Sequence, residues 1–284
     1  ANPYNGTFDG GGHVVKNLFI HSGSAYQALF GSLGAAASIT KLGVTGSVIT
    51  TGNYAGGIAA YAVNGAAISE CFNAAAVIAA KWAGGICGYT QSTVVTITDC
   101  YNTGAISASG ADGFAGGITA CGNKPYLGAA LTNCYNTGTV TAETKLGALT
   151  ARTGGQAVTN SYYLSTSCPN ATAKKGTAKT EAELKALAAT LGKAFSPDTA
   201  SVNSGYPILA WQVSYALGDV NGDGKISAKD AALLYAYVNG RTTLTAEQLS
   251  RCDVSGDGKD TAKDAALIYS YVNGRITVFP AESK

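Results

Sequence analysis

Oxygen-bearing side chains recur at alternate positions in two short segments near the C-terminus. In DVNGDGKISAKD, residues 219–230, oxygens are available from Asp219, Asn221, Asp223, the Lys225 main-chain carbonyl, Ser227 and Asp230. Gly224 stands sixth, where the chain must turn sharply. In DVSGDGKDTAKD, residues 253–264, the same places hold Asp253, Ser255, Asp257, Lys259, Thr261 and Asp264, with Gly258 at the turn. Calcium is a hard cation that takes six to eight oxygens, and a twelve-residue loop supplies them from positions 1, 3, 5, 7, 9 and 12. The spacing therefore predicts two calcium ions, one per loop. Capping a helix requires one such residue rather than three or four at alternating positions, so a pair of Asp/Gly turns is the poorer reading.

The elements around these loops repeat as well. The 23-residue copies that start at Asp219 and Asp253 differ only at Asn221/Ser255, Ile226/Asp260, Ser227/Thr261, Leu234/Ile268 and Ala236/Ser270. Each loop leads into an amphipathic helix, about 228–239 and 262–273, ended by Gly240 and Gly274. Thr245 and Gln248 have capping-box spacing and predict a short helix between the copies. Before the first loop, in GYPILAWQVSYALG, Pro207 and Gly218 argue against a helix and the alternating apolar pattern is closer to a strand.

Loop–helix, helix, loop–helix within 217–284, with Asp at position 12 of each loop, resembles the type I dockerin. The resemblance implies a small all-α, calcium-binding module whose partner is a cohesin of a scaffold protein, in cellulosomes and related extracellular complexes of anaerobic bacteria. It also implies that loop positions 10 and 11 and the helix face beyond them meet the cohesin. On that basis the expected contact residues are Ala228, Lys229, Ala232, Ala236, Tyr237 and Arg241, matched by Ala262, Lys263, Ala266, Ser270, Tyr271 and Arg275. Ala231, Leu234 and Val238, with Ala265, Ile268 and Val272, are the expected core stripes. Asp260 departs from the apolar residue that Ile226 supplies at position 8. Trp211 and Tyr215 on one side and Phe279 and Pro280 on the other are expected to clasp the module by ring-on-proline contact.

The N-terminal half repeats in another way. A Gly-rich phrase (ALFGSLGA at 28, AGGIAAYA at 55, AGGICGYT at 83, AGGITACG at 115, LGALTART at 146) alternates with KLGVTGSV at 41, ECFNAAAV at 70, DCYNTGAI at 99, NCYNTGTV at 133 and NSYYLSTS at 160. Units this short cannot bury an apolar face singly but can share one core when stacked. The expectation is a mainly β, parallel β-solenoid of about five rungs over 1–166. Cys71, Cys100 and Cys134 would form one column and Phe72, Tyr101, Tyr135 and Tyr162 the next, one facing inward and the other outward. FDGGGHVVKNLFI, AGGICGY and CYNTG resemble the GLUG repeat family of large secreted and cell-surface bacterial proteins, over about 5–165, and that family carries no catalytic residues over. Thr180 and Glu183 open a short helix with Leu184, Leu187 and Leu191 on one face, closed by Gly192, so 167–216 is expected to be a helical cap over the open solenoid end and a connection to the dockerin.

Composition removes other classes. A net charge of +2 without a basic cluster gives nucleic acid or an anionic membrane no electrostatic purchase. No apolar run approaches the length of a membrane span. The chain holds no Met, which suggests a processed or excised piece. Its seven cysteines fit small buried hydrophobes better than a disulfide framework, and free thiols in a secreted protein point to an anaerobic habitat. Three roles stay open for the solenoid. It could bind glycans or adhere through an outward aromatic column. It could be part of a polysaccharide lyase or hydrolase, with Glu70 and Asp99 one rung apart as the candidate pair. It could also self-associate into fibres through its ends. No residues make a full catalytic constellation, so the reading is non-catalytic.

Overall fold

The computed structural model describes residues 2–63, 65–91, 95–120, 128–151, 157–213 and 215–283. Cys121 lies outside the described residues. Two compact units divide the chain, 1–213 and 214–284.

The first unit is a parallel β-solenoid of about five turns. Each short strand finds its hydrogen-bond partners one turn away. Ser38–Thr50, Ala67–Ser69, Thr96–Thr98, Ala130–Thr132 and Val158–Thr159 stack in register, which sets Ile39, Ile68, Ile97, Leu131 and Val158 in one row. A second wall stacks Tyr54–Gly56, Trp82–Gly84, Phe114–Gly116 and Lys145–Gly147. The long first strand, Thr7–Ser22, pairs with Ser38–Thr50. Cys71, Cys100 and Cys134 form the expected column and lie in the main apolar core. They are free thiols, as are Cys168 and Cys252. Burial pushes the Cys134 thiol up to about 12 and the Cys168 thiol up to about 11, so neither ionises near neutral pH.

Two polar ladders hold the corners. Lys41, Glu70, Asp99, Asn133 and Asn160 all adopt left-handed backbone, with φ between 44° and 52°. Asn and Asp tolerate this conformation best. The Asn160 amide donates to Asn133, and the Asn133 amide to Asp99, both at 2.8 Å. Glu70 and Asp99, the candidate catalytic pair, are thus members of a row of chain-turning positions. A second row, Asn73, Asn102 and Asn136, is fully buried. Asn73 donates to Asn102, and Asn102 to Asn136, at 2.7 Å each. Each side chain also donates to a carbonyl two residues on, Ala75, Gly104 or Gly138. The second glycine of each AGG phrase faces this row: a Cβ on Gly57, Gly85 or Gly117 would run into Asn73, Asn102 or Asn136. The two alternating phrases are therefore two sides of one packing requirement.

Phe72, Tyr101 and Tyr135 stack outward from the solenoid wall with centroids 5.1 and 5.0 Å apart, close to the interstrand spacing. They are buried, because residues 177–213 lie over them. Thr177–Lys179 adds a parallel strand beside Tyr162–Leu164. Helix α1 (Glu181–Lys185) follows with the predicted Thr180/Glu183 capping box, and a break at 186–187 separates it from α2 (Ala188–Leu191), closed by Gly192 at φ 102°. Leu184, Leu187, Leu191, Phe195 and Leu209 pack on the aromatic column. Farther along, Gln212 accepts from the Tyr101 hydroxyl at 2.9 Å, and the Trp211 indole stacks on Phe72 and donates to the Glu70 carbonyl. The cap was expected over the solenoid end. It contributes a strand there, but its helices and the segment after them cover the flank, where their leucines pack on the outward column. Of the stretch expected to be strand-like, only Ile208–Leu209 is a strand, paired antiparallel with Phe195–Ser196, and Ala210–Gln212 turns as a short 3-10 helix. The outward aromatic column is consequently closed to sugars.

Replacing Asn102 by Leu would strand the Asn73 donor and the Asn136 acceptor in a dry interior, at a cost of about 2–4 kcal/mol. Thermal unfolding followed by β-sheet circular dichroism should show the solenoid transition several degrees lower, and a change under half a kcal/mol would mean that the ladder is dispensable.

Candidate metal centre and docking face

The second unit places its oxygen-rich loops before two equivalent helices, α3 (Ala228–Val238) and α5 (Ala262–Val272), with α4 (Ala246–Leu249) between them. α4 carries the predicted Thr245/Gln248 capping box, and α3 and α5 open with boxes the sequence reading did not name, Ser227/Asp230 and Thr261/Asp264. α3 and α5 pack on each other around Val220, Leu234, Val254, Ile268 and Phe279.

Each loop is stitched by its first and last carboxylates. Asp219 accepts N–H groups from Gly222 (2.9 Å), Asp223 (3.2 Å) and Gly224 (2.9 Å). Asp230 reaches back to the amides of Asn221 (2.8 Å) and Ser227 (2.9 Å). In the second loop Asp253 accepts from Gly256, Asp257 and Gly258, and Asp264 from Ser255 and Thr261, at 2.7–3.1 Å. Gly222, Gly224, Gly256 and Gly258 turn the chain at φ 71–82°. These hydrogen bonds tie the first, third and last predicted ligand positions of each loop together, with Asp223 and Asp257 exposed and Ser255 buried.

Burial makes these carboxylates chemically demanding. Asp219 is 1% exposed, and Asp230 and Asp264 are fully buried. Ionised carboxylates are costly there unless a cation balances them. Among the described residues the ion pair at these loops is Lys263 with Asp257, 3.1 Å apart at the solvent edge. No three His, Cys, Asp or Glu side chains converge closely enough to hold an ion unaided, again among the described residues. A cation held here would also need amide, hydroxyl and main-chain oxygens, from Asn221, Ser255, Lys225 and Lys259, and that mixed set of hard donors fits calcium.

The loops differ at position 8. Ile226 packs into the module core. Asp260 takes the equivalent place half-buried, and burial, reinforced by the charges of Asp264 and Asp253, raises its carboxyl above the usual range. Asp257 is held low by the hydrogen bond from Lys263. Burial pushes Asp253 up but is outweighed by the amides of Gly258, Gly256 and Asp257, which leave it low.

The ends of the module meet, by a contact different from the expected one. Phe279 is buried, stacks on Tyr271 at 4.7 Å and lies where a Cβ on Gly218 would strike its ring. Trp211 belongs to the solenoid unit instead, and the Tyr215 ring carries the Arg251 guanidinium at 4.3 Å.

The exposed helix face also corrects the sequence reading. Ala228, Lys229, Ala232 and Arg241, with Ala262, Lys263, Ala266 and Arg275, are exposed as expected, and Ala236 and Ser270 are half-buried. Tyr237 and Tyr271 pack against the core. Nine residues separate Ala228 from Tyr237, which is two and a half turns, so they point to opposite sides. Seven residues separate Ala228 from Tyr235, nearly two full turns. Tyr235 and Tyr269, both 52% exposed, therefore share the face with Ala228, Ala232 and their equivalents. Val238 and Val272, expected in the core, are 37% and 38% exposed at the fringe of the same surface.

Comparison with known proteins bears on both units. The dockerin type I domain model matches residues 217–273. Two high-resolution structures of the third ScaC cohesin in complex with the ScaB dockerin of Acetivibrio cellulolyticus, one mutated in the dockerin's N-terminal helix and one in its C-terminal helix, each match over 25% of this chain and 100% of theirs, at 36% identity and a TM-score of 0.24. A candidate immunoglobulin A1 protease of Bacteroides ovatus is similar at 24% identity and a TM-score of 0.56, over 72% of this chain and 77% of its own, which shows a shared fold. No protein of curated function matches the chain.

Removing calcium should unfold the second unit selectively, because the buried carboxylates then lose their balancing charge. Helical circular dichroism should fall in chelator and return in millimolar calcium while the β signal stays constant; equal helix signal and melting in both conditions would overturn the metal assignment. Phe279→Ala should lower the calcium-bound module's stability by about 3–5 kcal/mol, read as an earlier helical melting transition. Unchanged melting would show that the two ends do not support each other.

Proposed function

We propose, since residues 217–273 belong to the type I dockerin family, that this chain is a non-catalytic secreted subunit that docks on a cohesin-bearing scaffold of a cellulosome-like complex and displays its β-solenoid there. The observation that supports docking most directly is the repetition of one exposed face on two helices: Ala228, Ala232 and Tyr235 on α3, and Ala262, Ala266 and Tyr269 on α5. Small residues let a flat partner approach, tyrosine supplies contact area at low entropic cost, and Lys229 and Arg241 can meet acidic groups at its rim. The similar Acetivibrio dockerins are bound to a cohesin. Both loops offer the same donor pattern, and we assign one calcium ion to each. An extracellular setting agrees with that partner, and the free, buried thiols suit the surface of an anaerobic bacterium.

The non-catalytic reading rests on the placement of the acids. Glu70 and Asp99 turn the chain at corners, and the next two corners hold Asn133 and Asn160. A polysaccharide lyase or hydrolase on this solenoid, or in a larger protein that includes it, is the alternative, and a self-assembling fibre component is another. Of the display roles, glycan binding, adhesion or a structural part, the first has a specific site to recommend it, argued below.

Duplication of the face should give two equivalent docking modes. Lys229→Asp with Tyr235→Ala on α3 should leave cohesin affinity within a few-fold of wild type, since losing one of two equal modes costs only RT ln 2, about 0.4 kcal/mol. Lys263→Asp with Tyr269→Ala should be as mild, and the four changes together should abolish binding. Calorimetry in calcium against a panel of type I cohesins measures all three. One double mutant that abolishes binding alone would limit docking to a single face, and failure of the wild type to bind any cohesin would overturn the docking proposal.

A further inference from the structure

At the N-terminal end of the solenoid, the turn at 25–32, the segment before the first strand and Tyr61 line a half-open cavity of about 650 Å³. This is within the range of small-ligand sites. Tyr4, Tyr26, Phe30 and Tyr61 form its aromatic lining, and Gln27 and Ser32 are among its polar groups. None of the residues that line it is charged.

The aromatic wall is built in advance of any ligand. Tyr26 stacks on Tyr54 at 4.8 Å, and Tyr54 stacks on Trp82 at 4.8 Å, nearly parallel. Tyr61 stands edge-on to Tyr26 at 5.6 Å and stacks on Tyr89 at 5.2 Å. Phe30 is braced by Tyr4 and Phe8. With one face of its ring on Tyr54, Tyr26 is still 46% exposed. The Gln27 amide is fixed by its hydrogen bond to the Ala25 carbonyl, 2.9 Å.

Tyr26 also has φ 62°, a backbone conformation that is rare for a bulky side chain. Gly would suit the position better, and here the strain serves no corner ladder such as the one through Asn133. Strained backbone that presents an exposed ring at the wall of a cavity is the pattern of a binding site.

The geometry points to a neutral glycan as the ligand of this cavity, with a sugar ring stacked on Tyr26 and its hydroxyls met by Gln27 and Ser32. Aromatic rings match the apolar C–H face of a pyranose, amide and hydroxyl groups match its edge, and an uncharged lining gives no advantage to uronic acids or phosphorylated ligands. This names the ligand class and the site for the display role proposed above and rests on that reading.

The test uses the full chain in calcium, with affinity gel electrophoresis in xyloglucan, galactomannan, mixed-linkage β-glucan and starch, and with polygalacturonate as the charged comparison. At least one neutral polymer should retard the protein, and polygalacturonate should not. Tyr26→Phe should keep the binding. Tyr26→Gly should weaken it about tenfold or more, with a melting temperature near that of wild type because glycine relieves the strained backbone. Ala25→Arg, which obstructs the cavity and leaves Tyr26 in place, should give the same loss. No retardation by any neutral polymer, or unchanged retardation in folded Tyr26→Gly and Ala25→Arg, would overturn the site. Cohesin capture should be equal in all these variants, so a failure of docking and a failure of glycan binding are read separately.

Discussion

In-register stacking is the constraint on which the solenoid depends. A parallel turn sets each residue against its equivalent one rung away, at a spacing of about 4.8 Å, so whatever a rung places inward must satisfy a copy of itself. Apolar side chains do so without difficulty, as Ile68, Ile97 and Leu131 show. An amide does so because it is both donor and acceptor: Asn102 gives its N–H to Asn136 and takes one from Asn73. A carboxylate could not, since stacked copies would repel, and the buried row contains none. The glycines at 57, 85 and 117 follow from the same constraint, since the asparagines occupy the space that their side chains would need.

Much of this was legible in the sequence because stacking turns three-dimensional adjacency into a fixed sequence interval. The cysteine and aromatic columns could be written down from alignment of the phrases alone. What covers the aromatic column could not, because strand alternation separates the two faces of a wall without saying which meets water. Phe72, Tyr101 and Tyr135 look the same in sequence whether they wait for a sugar or lie beneath Leu184, Leu187 and Leu191. The cap was recognisable as an amphipathic helix, but helical periodicity does not say which apolar surface of the solenoid it covers.

The metal loops were legible residue by residue for a different reason. Their ligands are contiguous, so spacing along the chain is nearly spacing in space. Helix faces are less forgiving, because an error of two residues rotates a side chain by about 200°. Tyr235 and Tyr237 differ in that way: one is half exposed beside Ala228 and Ala232, and the other supports the core. The equivalent pair, Tyr269 and Tyr271, repeats the division, and Tyr271 closes on Phe279. Identity between the two copies therefore has two sources, an interior that must fit one hydrophobic centre from both sides and a surface available to a partner.

The two units solve the burial of polar groups in opposite ways. The solenoid pairs the amides of its buried Asn73, Asn102 and Asn136 row with copies of themselves. The C-terminal module buries Asp219, Asp230 and Asp264 with backbone amides as their partners, which satisfies hydrogen bonding but not charge. If a divalent cation supplies that charge, the helix face is coupled to it directly, because Ala228 and Lys229 are themselves loop positions 10 and 11, just before Asp230. On the docking proposed above, joining the two kinds of unit would let the solenoid stay folded in any medium while attachment to a scaffold would occur only where calcium is plentiful, as it is outside a cell.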